Sequence, residues 1–448
     1  MKIHLIAIGG SAMHNLALAL HEQGHDLSGS DDEIFEPSRS RLAKKGLLPD
    51  AIGWDANRIH QDLDFVVVGM HARKDNPELL RAQELQLKVY SYPEYLYESS
   101  RNKTRVVITG SHGKTTITSM ILHVLNFHNR DCDYMVGAQL EGFETMVRLT
   151  DHNEFMVIEG DEYLSSPLDP RPKFVHYRPN IALISGIAWD HYNVFPKYEN
   201  YRAQFEMLFD YIEPGGQVIY NVDDQEVQAV VEGTNQEVKK FPYSTPPYRV
   251  EDQQFVLETI EGDLPLNVFG AHNMNNLEGA RWVCSQMGIT DEEFYEAIIE
   301  FSGASKRMEA LIVNGDLKVY RDFAHAPSKV KASVRACQET YAESNIWAIL
   351  ELHTFSSLNI EFMQQYAGSM DPAQKAIVYF NPEVLQHKKL PALDAAEVQA
   401  AFKRDDLLVI QNSEELALTL QKGKSAGNVF LLMSSGNFDG IDWPEVFS

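Results

Sequence analysis

The sequence predicts an α/β protein of three domains with mostly parallel sheets. Short apolar runs rich in β-branched residues alternate with stretches of helical spacing along the whole chain. Many of the runs lead into a glycine, acidic or polar turn, where ligand sites of a doubly wound sheet lie. The 448 residues suit three domains of roughly 150 residues each, and a hydrophobic fraction of 44% supports a core in each.

The first domain is expected over residues 1–100. KIHLIAIGG reads as a strand entering a glycine turn, and SAMHNLALALHEQG as a helix that stops at Gly24. HDLSGSD, DFVVVGM and LKVYSYPEYL supply further strands, and the polar ESSRNKT looks like a linker. The second domain, residues 101–305, begins with TRVVITG and continues through NEFMVIEGDE, NIALISGIAWDH and GGQVIYNVDD, each a strand running into a polar turn. The third, residues 306–448, holds LIVNGDLKVYRDFAHAP, SNIWAILELHTF, KAIVYFNP and NVFLLMSSGNFDGI. No internal repeat or low-complexity segment is evident.

Bulk properties exclude several functions. No run approaches the roughly 20 apolar residues that span a bilayer, and the N-terminus is too short an apolar run for a signal peptide. No membrane partner is therefore expected. Three widely spaced cysteines, Cys132, Cys284 and Cys337, lack metal-ligand spacing and fit a reducing, cytoplasmic compartment. The formal net charge is −25, from 64 acidic and 39 basic residues, without a basic stripe. No nucleic-acid partner is expected. Any anionic substrate must then meet positive charge that is local to its site.

Residues 106–116 read VVITGSHGKTT. The β-branched strand before them and the helical ITSMILHVLNF after them place Gly110, Ser111, His112, Gly113, Lys114, Thr115 and Thr116 in a strand-to-helix turn. Backbone N–H groups and the helix N-terminus of such a turn face phosphates. Lys114 supplies a point charge to the β/γ-phosphates, and the Thr115 hydroxyl a ligand for Mg²⁺. ATP and Mg²⁺ are the expected cofactors. Two strand ends add hard ligands: VIEGDEY with Glu159, Asp161 and Glu162, and IAWDHYNVF with Asp190 and His191. Taken singly, each of these is equally a helix cap or a solvated turn. GAHNMNNLEGA opens a helix with Asn273 and Asn276, whose amides suit an adenine edge or a helix cap. Arg307 follows, placed to stabilise transferring charge or to be an exposed helix-end residue. Asp322 could accept from a ribose hydroxyl, and His325 could stand near the reacting groups.

The two-residue gap between Gly110 and Gly113 is shorter than the usual phosphate loop. G-[ST]-x-G-K-T-T resembles the shortened loop of the Mur ligase superfamily. E-x-D-E, D-H, H-N-x-x-N, R-[RM]-x-E and D-[FY]-A-H-x-P follow in the family's order across the whole chain. The resemblance implies a Rossmann-like first domain for a UDP-sugar, a central phosphate-loop ATPase domain and a C-terminal Rossmann-like domain for an amino acid or peptide. It implies Thr115, Glu159 and His191 as metal ligands, Asn273 and Asn276 near adenine, and Lys114, His191, Arg307 and His325 as the catalytic set. The carbamylated lysine of some members is absent, since YRAQFEML offers Gln204 and Phe205 in its place and Lys197 reads as a surface residue. That resembles the branch acting directly on the muramic acid.

In the first domain Ala7 and Met13 replace two glycines of a dinucleotide fingerprint, so an NAD-dependent oxidoreductase lacks its pyrophosphate turn. By resemblance, Gly9, Gly10, Ser30 and Asp31, with His71 and Asn76, meet the UDP group. RDFAHAP, KFVHYRPNIALI and the M-S-x-G-x-F-x-G-I ending resemble members that join UDP-N-acetylmuramate to the tripeptide L-alanyl-γ-D-glutamyl-meso-diaminopimelate in cell-wall recycling. L-Alanine is the alternative amino substrate. His353 stands where an arginine is usual in the family, and Ser435 and Asn437 lie in the C-terminal turn; these three are the expected peptide contacts. The product is an amide formed through an acyl phosphate, by a monomer or weak homodimer that closes on ATP. A Mur-like regulator that binds without ligating is the non-enzyme alternative. Folylpolyglutamate synthase is disfavoured because its chain lacks an N-terminal UDP-binding domain.

Overall fold

The computed structural model describes residues 1–140, 142–166, 168–303, 307–314, 317–425 and 427–448. The expected boundary at 305 and 306, and Lys306 of the KRME motif, lie outside the described residues. Four sheets carry the fold. The first is parallel, in the order β2 (Asp26–Ser30), β1 (Lys2–Ile6), β3 (Phe65–Val68), β4 (Val89–Ser91). β1 and β3 are short and apolar, with Ile3, Leu5, Ile6 and Val66 to Val68 buried, whereas β2 (DLSGS) is polar and buries only Ser30 fully. From β1 the chain passes to neighbours on either side, which opens a crevice at its carboxyl end. There the helix α1 (Ser11–Glu22) begins, and α1 ends before Gly24 at φ +81°. The helices α2 (Ser38–Lys44), α3 (Pro77–Glu84) and α4 (Tyr92–Ser100) follow.

The second sheet has seven strands in the order β11 (Lys239–Tyr243), β10 (Gln217–Asn221), β9 (Ile181–Ile184), β5 (Thr104–Thr109), β8 (Phe155–Gly160), β6 (Asp133–Met135), β7 (Val147–Arg148). All pairs are parallel except β6 with β7. β5 lies between β8 and β9 with Val106, Val107 and Ile108 wholly buried, and α5 (Lys114–Phe127) follows it.

The sequence reading missed a third, antiparallel sheet of β12 (Tyr248–Glu251), β13 (Gln254–Thr259) and β14 (Gly262–Leu266). Its signal was weak, because Pro265 and exposed residues break the apolar alternation. The fourth sheet runs β15 (Glu309–Asn314), β16 (Leu317–Asp322), β20 (Asn428–Met433), β17 (Asn345–Glu351), β18 (Lys375–Tyr379), β19 (Leu408–Ile410), with β15 alone antiparallel. β20 is buried along its whole length.

By contacts the chain forms two compact units. One holds Met1–Ile187, Arg202–Tyr243 and Gly279–Thr290; the other holds Ala188–Tyr201, Ser244–Glu278 and Asp291–Ser448. Among the described residues no helix is long and apolar enough to cross a membrane.

A buried ion pair ties the start of β5 to the sheet. Lys103 Nζ lies 2.7 Å from Asp133, whose carboxylate also accepts from Thr150 N (3.0 Å), Thr150 Oγ1 (2.8 Å) and Asn153 Nδ2 (2.9 Å). Removing one partner strands the other charge. Asp133→Ala is therefore expected to lower the unfolding free energy by about 3–5 kcal/mol in urea titration. A loss below about 1 kcal/mol would show the pair to be incidental.

Candidate active site

At the carboxyl end of β5 the chain has no room for a side chain. Gly110 has φ +133°, and a Cβ there would lie 2.1 Å from Ser185 Oγ. Gly113 (φ +80°) caps α5, which starts at Lys114. The turn thus sets the N-terminus of a 14-residue helix just past the carboxyl end of the strand. Lys114 Nζ donates to Glu162 Oε2 at 2.6 Å and to the Gly110 carbonyl. Burial alone would lower the Lys114 pKa, but the carboxylates of Glu162, Asp161 and Glu159 hold it above its ordinary value. A charged lysine therefore stands in an acidic surround. Thr115 Oγ1 donates to Glu159 Oε1 (2.7 Å), and Gly137 N–H to Glu159 Oε2 (2.7 Å). A hydroxyl and a carboxylate oxygen side by side are hard donors, which is the set Mg²⁺ favours. Asp161 is paired with Lys173 at 2.7 Å instead.

At the end of β1, Ala7 adopts φ +66°, where the fingerprint would have glycine. Gly9 N–H donates to Asp31 Oδ2 at 2.7 Å, and a Cβ on Gly9 would press on Asp31 and Ile34. Gly10 precedes α1 without a side-chain cap, and the His71 ring lies 3.8 Å from the position a Gly10 Cβ would take. Two predicted UDP contacts also support the fold. Ser30 Oγ donates to Glu78, and Asn76 Oδ1 caps α3 by accepting from Glu78 N and Leu79 N. Glu78 is wholly buried and also holds His4 Nε2 at 3.3 Å, a network the sequence reading missed.

The second compact unit gathers the other predicted residues. His191 (φ +54°) donates its backbone N–H to Asp190 Oδ1, and Asp190 Oδ2 meets Lys329 Nζ at 3.2 Å. Burial would raise the Asp190 pKa, yet Lys329, His191 and His325 hold it well below the usual carboxylate range. His325 is pushed down to about 4 by burial and then by Lys329. Its Nδ1–H donates to the Phe323 carbonyl (2.9 Å), so Nε2 carries the acceptor lone pair of a neutral ring. The Arg307 guanidinium sits 5.0 Å over the Phe323 ring. Asp322 accepts from Met308 N, Ala324 N and Ser333 Oγ, so it organises its own loop. Asn273 Nδ2 donates to the Phe269 carbonyl, and Asn276 Nδ2 to Asn273 Oδ1. Lys329 went unnoticed in the sequence; its signal was a basic residue one turn into the helix after RDFAHAP.

Of the three predicted metal ligands, Thr115 and Glu159 share one unit and His191 belongs to the other. At the carboxyl ends of the adjacent strands β17 and β20, His353 meets the C-terminal turn of Ser435 and Asn437. A Cβ on Gly436 would lie 3.0 Å from the His353 ring. Buried Glu351 stands behind, accepting from Ser434 Oγ and Phe438 N (2.9 Å), with Oε1 3.8 Å from His353 Nδ1.

The Mur ligase family, catalytic domain matches residues 2–104, the Mur ligase middle domain 108–284, and the Mur ligase, glutamate ligase domain 306–436. A UDP-N-acetylmuramate–L-alanine ligase of Caldicellulosiruptor saccharolyticus is 32% identical over 97% of this chain and 96% of its own. A UDP-N-acetylmuramate–L-alanyl-γ-D-glutamyl-meso-2,6-diaminoheptandioate ligase of Escherichia coli is 27% identical over 98% and 96%. The crystal structure of a murein peptide ligase from Psychrobacter arcticus shares the fold, with a TM-score of 0.67, 22% identity, and coverage of 98% and 97%. The chain belongs to the Mur ligase family of ATP-dependent acid–amino-acid ligases.

Asp31 makes a testable site. Burial, and secondarily Asp32, push its pKa up to about 6 against the opposing Gly9 N–H. Its ionisation in the folded state thus costs stability as pH rises from about 4 to 6. Asp31→Asn removes that cost. The variant should gain on the wild type by on the order of 2 kcal/mol across this window, read from urea unfolding, with a constant difference above it. A difference that shrinks as pH rises would contradict the assignment.

Proposed function

We propose that this ligase joins the carboxylate of UDP-N-acetylmuramate to the amine of L-alanyl-γ-D-glutamyl-meso-diaminopimelate. The observation that carries the ligase chemistry is the phosphate turn, where Lys114 is held charged beside the Thr115–Glu159 pair. In favour of a peptide are the Escherichia coli relative and the M-S-x-G-x-F-x-G-I ending that the C-terminal turn carries. L-Alanine is the second reading, favoured by the Caldicellulosiruptor relative.

Hydroxide is a poor leaving group, so the carboxylate must be activated first. Its oxygen attacks the γ-phosphorus, the bond to the β-bridging oxygen breaks, and ADP departs. The peptide amine then attacks the acyl carbon, loses a proton, and expels inorganic phosphate as the C–O bond breaks. Lys114 offsets charge on the phosphates, with Gly110 to Thr116 presenting N–H groups from the turn and helix N-terminus. Arg307, fixed over Phe323, is the second cation for the transferring group. His325 is neutral at physiological pH and adds no charge of its own to the reacting groups. Thr115, Glu159 and His191 are the proposed holders of Mg²⁺, which when bound neutralises charge on the β- and γ-phosphates. Gly9, Gly10, Asp31 and His71 are the proposed UDP contacts. Ser30 and Asn76 support that loop through Glu78. Asn273 and Asn276 face adenine in this reading, and Asp322 the ribose. Ser435 and Asn437 flank His353 at the peptide.

Phosphate release from ATP–Mg²⁺ with UDP-N-acetylmuramate should depend on the tripeptide. Release with L-alanine alone would establish the second reading, and release with neither would sink both. Lys114→Ala should still bind the UDP-sugar and lose release by about 10²-fold or more. Normal turnover in that variant would remove the phosphate turn from the mechanism.

A further inference from the structure

An acidic chain that binds a sugar nucleotide needs cations at the first domain's turn, yet the residues predicted there include none with fixed positive charge. A cavity of about 380 Å³ opens beside that turn, lined by Ser11, His14, Arg41, Gly137, Gln139 and Met146. It spans the start of α1, the helix α2 and the loop that follows β6, all within one compact unit.

Arg41 is the one formal cation in this lining. Its Nη1 donates to Asn15 Oδ1 (3.3 Å) and approaches His14 Nε2 (3.4 Å). Its Nη2 donates to Gln139 Oε1 (3.0 Å) and to the Glu144 carbonyl. Every one of these acceptors is neutral, and among the described residues no carboxylate pairs with this guanidinium. Other arginines of the chain contrast with it, since buried Arg105 pairs with Glu213 and half-buried Arg321 with Glu309. His14 adds no charge: burial, and secondarily Arg41, lower its pKa, and Nδ1–H donates to the Gly10 carbonyl at 3.0 Å. Asn15, wholly buried, binds the loop from the other side by accepting from Met146 N (3.0 Å). The guanidinium is thus pre-oriented by neutral groups on both walls, with its charge uncompensated.

Resting on the UDP-sugar reading above, we propose that Arg41 receives an anionic group of the sugar-nucleotide substrate in this cavity. The wall it touches bears on the phosphate turn. Gly137, in the same loop as Gln139, holds Glu159, which in turn holds Thr115. An anion drawn to Arg41 therefore sits between the glycine turn of the first sheet and the proposed metal ligands of the second. Two groups of the substrate share the required chemistry, the diphosphate and the lactyl carboxylate.

Calorimetric titration of the full chain with UDP, UDP-N-acetylglucosamine and UDP-N-acetylmuramate separates them. Arg41→Gln should weaken UDP-N-acetylmuramate about tenfold or more, and Arg41→Lys should recover most of that loss. ADP–Mg²⁺ affinity should stay unchanged in both variants. A loss shared by all three UDP ligands assigns the diphosphate; a loss confined to UDP-N-acetylmuramate assigns the carboxylate. Either supports the proposal. Equal weakening in the Gln and Lys variants with a lowered melting temperature would make Arg41 a tie between two walls and overturn it. Unchanged affinity in Arg41→Gln would overturn it while leaving the ligase reading intact. A wild type that binds ADP but no UDP ligand would overturn both.

Discussion

The arrangement of the central sheet depends on one steric constraint at the carboxyl end of β5. Residue 110 takes a backbone conformation that L side chains rarely adopt, and Ser185 fills the place its Cβ would need. Only glycine fits. Because the chain turns there, α5 begins at Lys114 and Thr115 faces the end of β8. Glu159 and Glu162 arrive from that neighbouring strand end. The phosphate turn, its lysine and its acidic partners are therefore consequences of strand order as much as of local sequence.

The same logic governs the fourth sheet. β16, β20 and β17 are adjacent and parallel, so RDFAHAP, MSSGN and ELH all emerge at one edge. Buried Glu351 then has a structural task, gathering the backbone of the C-terminal turn beneath His353. An acidic residue at the end of a buried strand is costly unless such donors meet it. Asp322 does the same for its own loop, and Asp190 uses Lys329.

The fold was legible in the sequence where strands were apolar and ended on glycine. β1, β5 and β8 are of this kind, and β20 is apolar along almost its whole length. The β12–β14 sheet was not legible, because half-exposed strands with an internal proline leave no period to read. The phosphate turn was legible because glycine, lysine and threonine carry their chemistry in fixed order. Residues that act through distant partners were not. Glu78, Lys329 and Arg41 look like surface charges in the sequence, and only the third dimension shows Ser30, Asp190 or Gln139 beside them. Asn76, read as a ligand contact, also caps α3 through its Oδ1, a role the sequence did not show.

Lys114 is sunk among carboxylates in a chain of net charge −25. Seen from solution, its charge is masked at any distance beyond the Debye length, about 8 Å at physiological salt. An approaching polyanion first feels repulsion and meets attraction only on entering the turn. Encounter is thus hindered at low ionic strength and eased by added salt, the reverse of a protein that steers its ligand with a basic face. Selectivity gains from this, since an anion that cannot reach the N–H groups of the turn has nothing to hold it.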